Sequence, residues 1–564
     1  MKSGKHIIYQ TFPRLFGNYA ENPVRNGGKE VNGCGKFNSY SVKALQSIKE
    51  LGITHLWYTG VPAHATSTDY SAYGIPKDHS AIVKGKAGSP YAIKDYYDVD
   101  PDLAEDVPNR MSEFEALVKR THEAGMKVII DFIPNHVSRN YRSMKKPAFM
   151  DDLGQHDRTD SAFSPFNNFY YLPGQHLILH SEAQEEGYEY SEFPAKATGN
   201  DCFNATPGIH DWYETVKLNY GVDYLHGGVN YFSPVPDTWK KMLHILLFWI
   251  EKDVDGFRCD MAGMVPVAFW NWVIPHVQSH KEVLFIAEIY DTSLYRDFIQ
   301  TAHFDYLYDK AGTYDLLRDI LVREAPVSGL MQYLHAYESI REHLLFFLEN
   351  HDEQRIASDF FAGNAHAGIP ALAFMATFGT NPVMIYNGQE LGEKGMDNEG
   401  FSGTDGRTSI FDYWRMDSIR RWANNGCFDG GLSDEEQLGL RAAYKKMLQL
   451  ANDEKAISSG SYYGLDYYNY DNPCFPSDRM AAYLRKHENE LILVCINFDS
   501  QAHDFRIRIP ENAFDVMQIP DNAVSVMKDL LTGDESICAL THTCPFQGFV
   551  AGQSAKILKF NLFF

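Results

Sequence analysis

Short apolar runs alternate with segments of helical period along most of this chain. That alternation is typical of βα units, which build a parallel sheet. Eight such runs, each followed by polar or turn residues, predict strands. In chain order they are His6–Thr11, Ile53–Thr59, Lys127–Ile133, Asp255–Cys259, Val283–Ile289, Phe304–Tyr308, Leu344–Leu348 and Val383–Tyr386. Eight strands, mostly with helices between them, predict an α/β fold of the (β/α)8 TIM-barrel type.

The helices between the runs carry local end signals. Gly52 ends the pattern Ser41–Leu51, as a left-handed C-terminal residue does. Ser112 and Glu115 have the spacing of a capping box, which predicts a helix from there to Gly125. The remaining predicted helices are Asp237–Glu251, Val265–Val277, Thr313–Leu321 and Glu435–Leu450.

Two segments depart from this alternation of strand and helix patterns. Residues 138–228 are polar, aromatic and aperiodic, and so long an irregular stretch predicts a small inserted domain after the third strand. Beyond residue 457 short β runs follow one another without a long helix, which predicts a C-terminal antiparallel β-sandwich domain. The predicted division is 1–137 and 229–456 for the barrel, 138–228 for the insert and 457–564 for the C-terminal domain.

Charge and cysteine usage exclude several classes of function. Lys and Arg number 51 against 74 Asp and Glu, a formal charge of −23 that would repel nucleic acid and anionic lipid but suits a neutral polysaccharide. The eight cysteines show neither a CxxC pair nor zinc-like spacing. The N-terminal residues lack the layout of a secretory signal, and no apolar run is long enough to span a bilayer. We therefore expect a cytoplasmic protein, although a leader removed beforehand would leave the same start.

Polar residues follow four of the predicted strands at the point where each strand ends. In a parallel barrel these ends form one rim, where catalytic residues lie. The residues concerned are Asp131, Asn135, His136, Arg258, Asp260, Glu288, Asn350, His351 and Asp352. Each alone has a plainer explanation, since acids cap helices and histidines serve as structural hydrogen-bonding groups. Four such groups in order, each at a predicted strand end, are much harder to obtain by accident.

These residues carry a family resemblance. The segments DFIPNH (131–136), GFRCD (256–260), the AE ending at Glu288 and ENHD (349–352) resemble the four signatures of the α-amylase superfamily, glycoside hydrolase family 13. The resemblance implies a retaining α-glucoside hydrolase of the α-amylase type. Its substrates would be starch-derived α-glucans or maltooligosaccharides, cleaved at α-1,4 bonds. It also implies an insert after strand three and a C-terminal β domain.

The resemblance assigns the three catalytic roles. Asp260 is expected to attack the anomeric carbon, Glu288 to act as acid and then base, and Asp352 to stabilise the transition state. Arg258 precedes Asp260 by two residues on the same strand face, so its guanidinium should lower the pKa of that carboxyl. Glu288 has no arginine beside it in sequence.

The resemblance also assigns substrate contacts. His136 and His351 are expected to hydrogen-bond the reacting sugar, and Tyr91 to stack on it. Arg258 is grouped with these substrate-binding residues. The aromatic residues Trp212, Tyr213 and Tyr220 of the insert are interpreted as core packing, with sugar stacking as the alternative.

Two positions beside the nucleophile separate this chain from typical α-amylases. Gly263 and Met264 stand where those enzymes have Lys and His, which shape the acceptor side. A glucanotransferase, or a sucrose- or trehalose-active transglycosylase, is therefore the alternative function. A catalytically silent relative would usually lose one of the three acids, and all three are present. A metal-dependent hydrolase is disfavoured because His136 and His351 lie in no compact metal motif.

A second departure concerns the calcium ion that many family members bind between barrel and insert. Asn135 matches one calcium ligand, but the segment VKLN (216–219) places Lys217 where an acidic ligand would be. An ammonium there could replace the cation by pairing with Asp131 or nearby carbonyls. We predict no calcium at this position and no metal or other cofactor. The alternative is that Lys217 is a solvated helix residue. The oligomeric state is open.

Overall fold

The computed structural model describes residues 4–180 and 189–562. Its central element is a sheet of eight parallel strands. They are β1 (Ile7–Thr11), β2 (His55–Tyr58), β3 (Lys127–Phe132), β4 (Gly256–Cys259), β5 (Leu284–Glu288), β6 (Tyr306–Tyr308), β7 (Leu344–Leu345) and β8 (Val383–Tyr386). The hydrogen-bonded order is β7-β6-β5-β4-β3-β2-β1-β8. Phe346, just past β7, bridges in parallel to Val383 of β8 and closes the sheet. The predicted barrel is confirmed.

Most of the helices surround the barrel, whereas Glu511–Val516 packs in the C-terminal domain. The helices of six or more residues are Val42–Lys49, Arg110–Glu123, Asp237–Glu251, Val267–Gln278, Tyr295–Gln300, Asp315–Arg323, Val327–Ala336, Ile369–Thr377, Asp417–Ala423, Glu435–Asp453 and Glu511–Val516. Four-residue helices are Pro13–Phe16, Lys29–Asn32, Lys455–Ser458 and Asp466–Asn469. Among residues 4–180 and 189–562, no helix has the length and apolar character to cross a membrane.

The predicted capping box at Ser112 is wrong. The helix begins at Arg110, so Ser112 lies inside its first turn. Glu113 supplies the local anchor instead, because its carboxylate accepts hydrogen bonds from the backbone N–H of Asp106 at 2.6 Å and of Glu105 at 3.0 Å. A carboxylate in the first turn is also favoured by the helix dipole.

The inserted segment contains short antiparallel pairs rather than a large sheet. His136–Ser138 pairs with Thr215–Lys217, Tyr171–Leu172 with Ala195–Lys196, and Val222–Asp223 with Val229–Asn230. The first pair ties the insert to the residues just past β3 and crosses the predicted boundary after residue 137. A small apolar core unites Leu172, Leu177 and Tyr213 with Ile82. Ile82 comes from the segment after β2, so two excursions from the barrel build this region together.

The C-terminal region is antiparallel. Its strands are β9 (Ser461–Gly464), β10 (Met480–His487), β11 (Glu490–Asn497), β12 (His503–Ile507), β13 (Ala523–Asp529), β14 (Glu535–Leu540), β15 (Phe546–Val550) and β16 (Ser554–Asn561). Six of them form a sheet in the order β9-β10-β11-β16-β13-β14, and β12 pairs with β15.

Both faces of the six-stranded sheet are covered. Tyr483 and Val494 belong to the core shared with the barrel. Their chain neighbours Leu484 and Leu493 belong to a second core, which the β12–β15 pair completes with Phe505. Because side chains alternate across a strand, one sheet can fasten the domain to the barrel and carry its own core.

Candidate active site

The three predicted acids converge on one cavity at the carboxyl-terminal rim of the barrel. Asp260 directly follows β4, Glu288 ends β5, and Asp352 lies in the loop after β7. The cavity has a volume of about 310 Å³. Its lining residues are Lys84, Ser89, Tyr91, His136, Trp212, Glu214, Thr215, Asp260, Met261, Glu288, Tyr290, Asp352, Ile410 and Phe411.

Arg258 lies beneath the acids and is wholly buried. Its Nη1 is 2.8 Å from Asp260 Oδ1 and 3.4 Å from Asp131 Oδ1, and its Nη2 is 2.6 Å from Glu288 Oε1. The expected contact with Asp260 is therefore present. Arg258 does not line the cavity, and its contacts with three carboxylates give it a role in holding those side chains. Its expected contact with substrate stays a prediction.

Glu288 has no arginine beside it in sequence, but it has Arg258 beside it in three dimensions. Strands β4 and β5 are parallel neighbours, and Arg258 is in register with Ile286. Glu288 follows Ile286 by two residues and so emerges on the same face as Arg258. One guanidinium consequently contacts both Asp260 and Glu288.

Burial raises the pKa of the Asp260 carboxyl well above its ordinary value. Arg258 opposes that rise, whereas the nearby carboxylates of Glu288, Asp131 and Asp352 add to it. The predicted effect of Arg258 therefore has the correct sign but is smaller than the effect of burial. Asp260 Oδ2 has no hydrogen-bond partner among the described residues.

Glu288 is held by two further donors. The backbone N–H of Met261 donates to Oε2 at 2.7 Å, and the Tyr290 hydroxyl donates to Oε1 at 3.0 Å. Met261 has φ 44° and ψ 40°, a left-handed conformation that side-chain-bearing residues rarely adopt. Strain of this kind concentrates at functional sites. Here it aims the backbone N–H that follows Asp260 at the carboxyl group of Glu288.

Asp352 and Tyr91 are linked by His351. His351 Nε2 lies 3.0 Å from Asp352 Oδ2 and also meets the Tyr91 hydroxyl. Gln10 Nε2 donates to His351 Nδ1 at 2.8 Å, which assigns the proton of a neutral ring to Nε2. Burial raises the pKa of Asp352, but His351, Arg258 and Arg407 outweigh it and hold that pKa below its ordinary value.

His136 forms the wall on the side of the insert. Its ring centroid lies 5.2 Å from that of Trp212. Burial lowers the pKa of His136 to about 3, assisted by the charges of Lys217 and Lys84. The imidazole is therefore neutral at ordinary pH, and it can exchange hydrogen bonds with an uncharged ligand without a charge to neutralise.

Of the seven predicted site residues, five line the cavity and two, Arg258 and His351, lie directly behind it. The structure adds residues that sequence reasoning missed. Trp212 lines the cavity, so its interpretation as packing is wrong, whereas Tyr213 and Tyr220 are buried as expected. Lys84, Glu214, Met261 and Tyr290 also line it. Of these residues, only Tyr290 could have been suggested as a site residue from the sequence, because it follows Glu288 by two residues in FIAEIY.

Lys217 occupies the place where family resemblance would put a calcium ligand. It lies on the buried strand Thr215–Lys217, which excludes the alternative of a solvated helix residue. Its Nζ is 2.8 Å from Asn135 Oδ1 and 2.5 Å from Asp201 Oδ1. The suggested partner Asp131 is wrong, because Asp131 instead accepts from Trp57 Nε1 and the Gly60 N–H, each at 3.2 Å.

The ammonium group takes the Asn135 oxygen that a metal would need, so these residues do not fit a calcium ion. Among residues 4–180 and 189–562, no group of three or more His, Cys, Asp or Glu side chains is arranged to hold a metal.

Comparison with known proteins agrees with this geometry. The alpha amylase catalytic-domain model matches residues 30–459. Alpha-amylase 3 of Dictyoglomus thermophilum is 23% identical over 558 residues, covering 94% of this chain and 92% of that protein. A maltogenic alpha-amylase structure from Thermotoga neapolitana superimposes with a TM-score of 0.63 at 21% identity, covering 99% of each chain.

A further structure has the same fold over the whole chain. The alpha-amylase of Geobacillus thermoleovorans, solved with acarbose, gives a TM-score of 0.65 at 20% identity and covers 99% of this chain and 98% of its own. At these identities the structural matches establish the fold. The family model covers barrel strands β2 to β8 and contains every residue of the cavity. The chain belongs to the alpha-amylase family and is a glycoside hydrolase built on a TIM barrel.

Proposed function

We propose that the protein is a retaining hydrolase of α-1,4-glucosidic bonds in starch-derived glucans or maltooligosaccharides. The observation that carries the proposal is the contact of one guanidinium, Arg258, with both Asp260 and Glu288. A single fork can hold two carboxyl groups only when they are close together. Retaining glycosidases have their two carboxyl groups about 5–5.5 Å apart, whereas inverting enzymes leave room for a water between them.

The first half of the reaction transfers the glucosyl unit to the protein. Asp260 Oδ2 attacks the anomeric carbon while the bond from that carbon to the leaving oxygen breaks. Glu288 gives its proton to the leaving oxygen and becomes a carboxylate. The products are a glycosyl ester of Asp260 and a shortened glucan with a free hydroxyl.

The second half reverses the roles. Glu288 removes a proton from water, the water oxygen bonds to the anomeric carbon, and the ester bond to Asp260 breaks. Esterification has by then removed the charge of Asp260, so only Glu288 and the more distant Asp131 still share the attraction of Arg258. That favours the carboxylate form of Glu288, which is the form a general base requires.

The other polar groups of the cavity suit a neutral sugar. Asp352 is kept ionised by His351 and Arg258, so it can accept hydrogen bonds from ring hydroxyls and offset positive charge that develops at the anomeric carbon. Neutral His136 can donate to or accept from a hydroxyl. The hydroxyl of Tyr91 is fixed by its hydrogen bond with His351, and its ring presents an aromatic face to the cavity.

Transfer of the glucosyl unit to a sugar instead of water is the second candidate function. Tyr290 favours it, because its ring is 41% exposed beside Glu288 and offers a surface on which an acceptor sugar could stack. A glucanotransferase, or a transglycosylase acting on sucrose or trehalose, would use the same covalent intermediate.

Products from maltotetraose, pullulan and sucrose test the proposal. Hydrolysis gives only products shorter than maltotetraose, and proton NMR should show that the first product is the α-anomer. Oligomers longer than maltotetraose would establish transfer. A β-anomer as the first product would contradict the retaining mechanism.

A further inference from the structure

An ion pair stands on the cavity wall away from the three catalytic acids. Lys84 Nζ lies 3.0 Å from Glu214 Oε1, and the two side chains are 11% and 4% exposed. Lys84 comes from the excursion after β2, and Glu214 directly precedes the insert strand Thr215–Lys217. Both residues line the same cavity as Asp260 and Glu288.

Glu214 has hydrogen-bonding capacity that the protein does not use. Its Oε1 carries the ion pair, whereas its Oε2 is buried and has no partner in the part of the chain that the structure describes. Buried carboxylate oxygens are normally paired, and exceptions call for an explanation. The position of Glu214 on a cavity wall supplies an explanation, because a ligand that enters the cavity can donate a hydrogen bond to Oε2.

The surroundings of the pair suit a sugar. Trp212 lines the same wall and its ring contacts His136, the residue expected to hydrogen-bond the reacting sugar. Lys84 Nζ is held 5.3 Å from the centroid of the buried Tyr213 ring, which restricts the lysine side chain. An indole face with a fixed donor and a fixed acceptor offers what a glucosyl unit needs, namely an apolar surface and partners for its hydroxyls.

We propose that Lys84, Trp212 and Glu214 form a subsite for a second glucosyl unit, adjacent to the unit that bonds to Asp260. This inference rests on the proposed α-glucan hydrolysis. Glu214 Oε2 accepts a hydrogen bond from a hydroxyl of the second unit, Lys84 Nζ donates one, and Trp212 packs against the sugar ring. The subsite makes the protein prefer oligosaccharides to substrates with a single glucosyl unit.

The test compares a long substrate with a short one. Glu214→Gln keeps the size of the side chain but removes its charge, and kcat/KM is measured on maltotetraose and on p-nitrophenyl α-glucoside. The ratio of the two values should fall by about tenfold or more, as expected when a hydrogen bond to a charged group is lost. Glu115→Gln is the matched control, because Glu115 pairs with Lys252 at 2.5 Å outside the cavity. Its ratio should equal that of the wild type.

Binding measurements make the result independent of turnover. Calorimetry on the Glu288→Gln protein should give a Kd for maltotetraose that rises by about tenfold or more when Glu214→Gln is added. An equal loss of kcat/KM on both substrates, or an unchanged Kd, would overturn the subsite. A wild-type protein that binds maltotetraose but cleaves neither substrate would refute the proposed function and leave the subsite standing.

Discussion

Two buried arginines stand under the same rim of the barrel, and their surroundings differ. Arg355 is wholly buried and faces one acid, Glu349, at 2.9 Å, and its remaining donors reach Thr408 Oγ1 and the Asn387 carbonyl, both at 3.1 Å. Arg258 is equally buried but is shared by Asp131, Asp260 and Glu288. The first site is balanced in charge, and the second has an excess of negative charge.

The difference separates a structural ion pair from the one that is reactive in the proposed mechanism. Glu349 has both oxygens occupied, because Oε1 accepts from the Ile356 N–H at 2.7 Å. Asp260 keeps one oxygen without a partner. An excess of buried negative charge costs stability, and the neutral ester that the proposed mechanism forms at Asp260 would relieve it. Titratable groups in a cleft whose pKa values are strongly shifted are characteristic of functional sites.

The largest expected effect is on the reactive site. Asp260→Asn should lower kcat by about 10⁴-fold or more, because it removes the nucleophile. The same change should leave stability unchanged or increase it, because it removes one charge from an over-acidic cluster. The pKa of Asp260 is raised on folding, so its ionised form costs stability above its ordinary pKa. Any gain in Tm should therefore be larger at pH 7 than at pH 4. Near-normal turnover of maltotetraose would remove Asp260 from the mechanism.

The balanced pair should respond in the opposite way. Arg355→Met leaves Glu349 buried without its cation, which should lower the free energy of unfolding by about 3–5 kcal/mol. Urea denaturation measures that loss. Turnover per folded molecule should stay within about twofold, because neither residue lines the cavity. A large fall in kcat of the folded protein would show that the two arginine sites are not separate in function. The double variant Arg355→Met with Glu349→Leu should recover part of the stability.

The charge excess around Arg258 can be reduced without touching the cavity. Asp131 is buried, does not line the cavity, and contributes to the raised pKa of Asp260. Asp131→Asn should therefore lower the pKa of Asp260, and the acid limb of the kcat/KM profile should move to lower pH by about one unit. Along this limb kcat/KM falls as the pH drops, because the proposed nucleophile must be ionised. An acid limb that does not move would mean that another group controls it.

The same contrast explains what the sequence could predict. The barrel strands are buried on both faces and therefore appear in the sequence as apolar runs. The acids follow these runs at the rim, so the sequence predicts β4, β5 and the position of Asp260. The contact of Arg258 with Glu288 depends on which strands are neighbours, and sequence adjacency does not contain that information. Glu214 and Trp212 lie in an aperiodic insert, where no period separates cavity residues from packing residues.

Lys217 gives a third buried cation and the smallest expected effect. We propose that its ammonium group stands in place of calcium between Asn135 and Asp201. A chelator or added Ca²⁺ should then leave the Tm of the wild type unchanged, as measured by calorimetry. Lys217→Met should lower the free energy of unfolding by about 1–2 kcal/mol, less than Arg355→Met, because Asp201 is 41% exposed and water can replace its partner. A Tm that falls with chelator and recovers with Ca²⁺ would contradict the proposal, because the Asn135 oxygen cannot serve the lysine and a metal ion together.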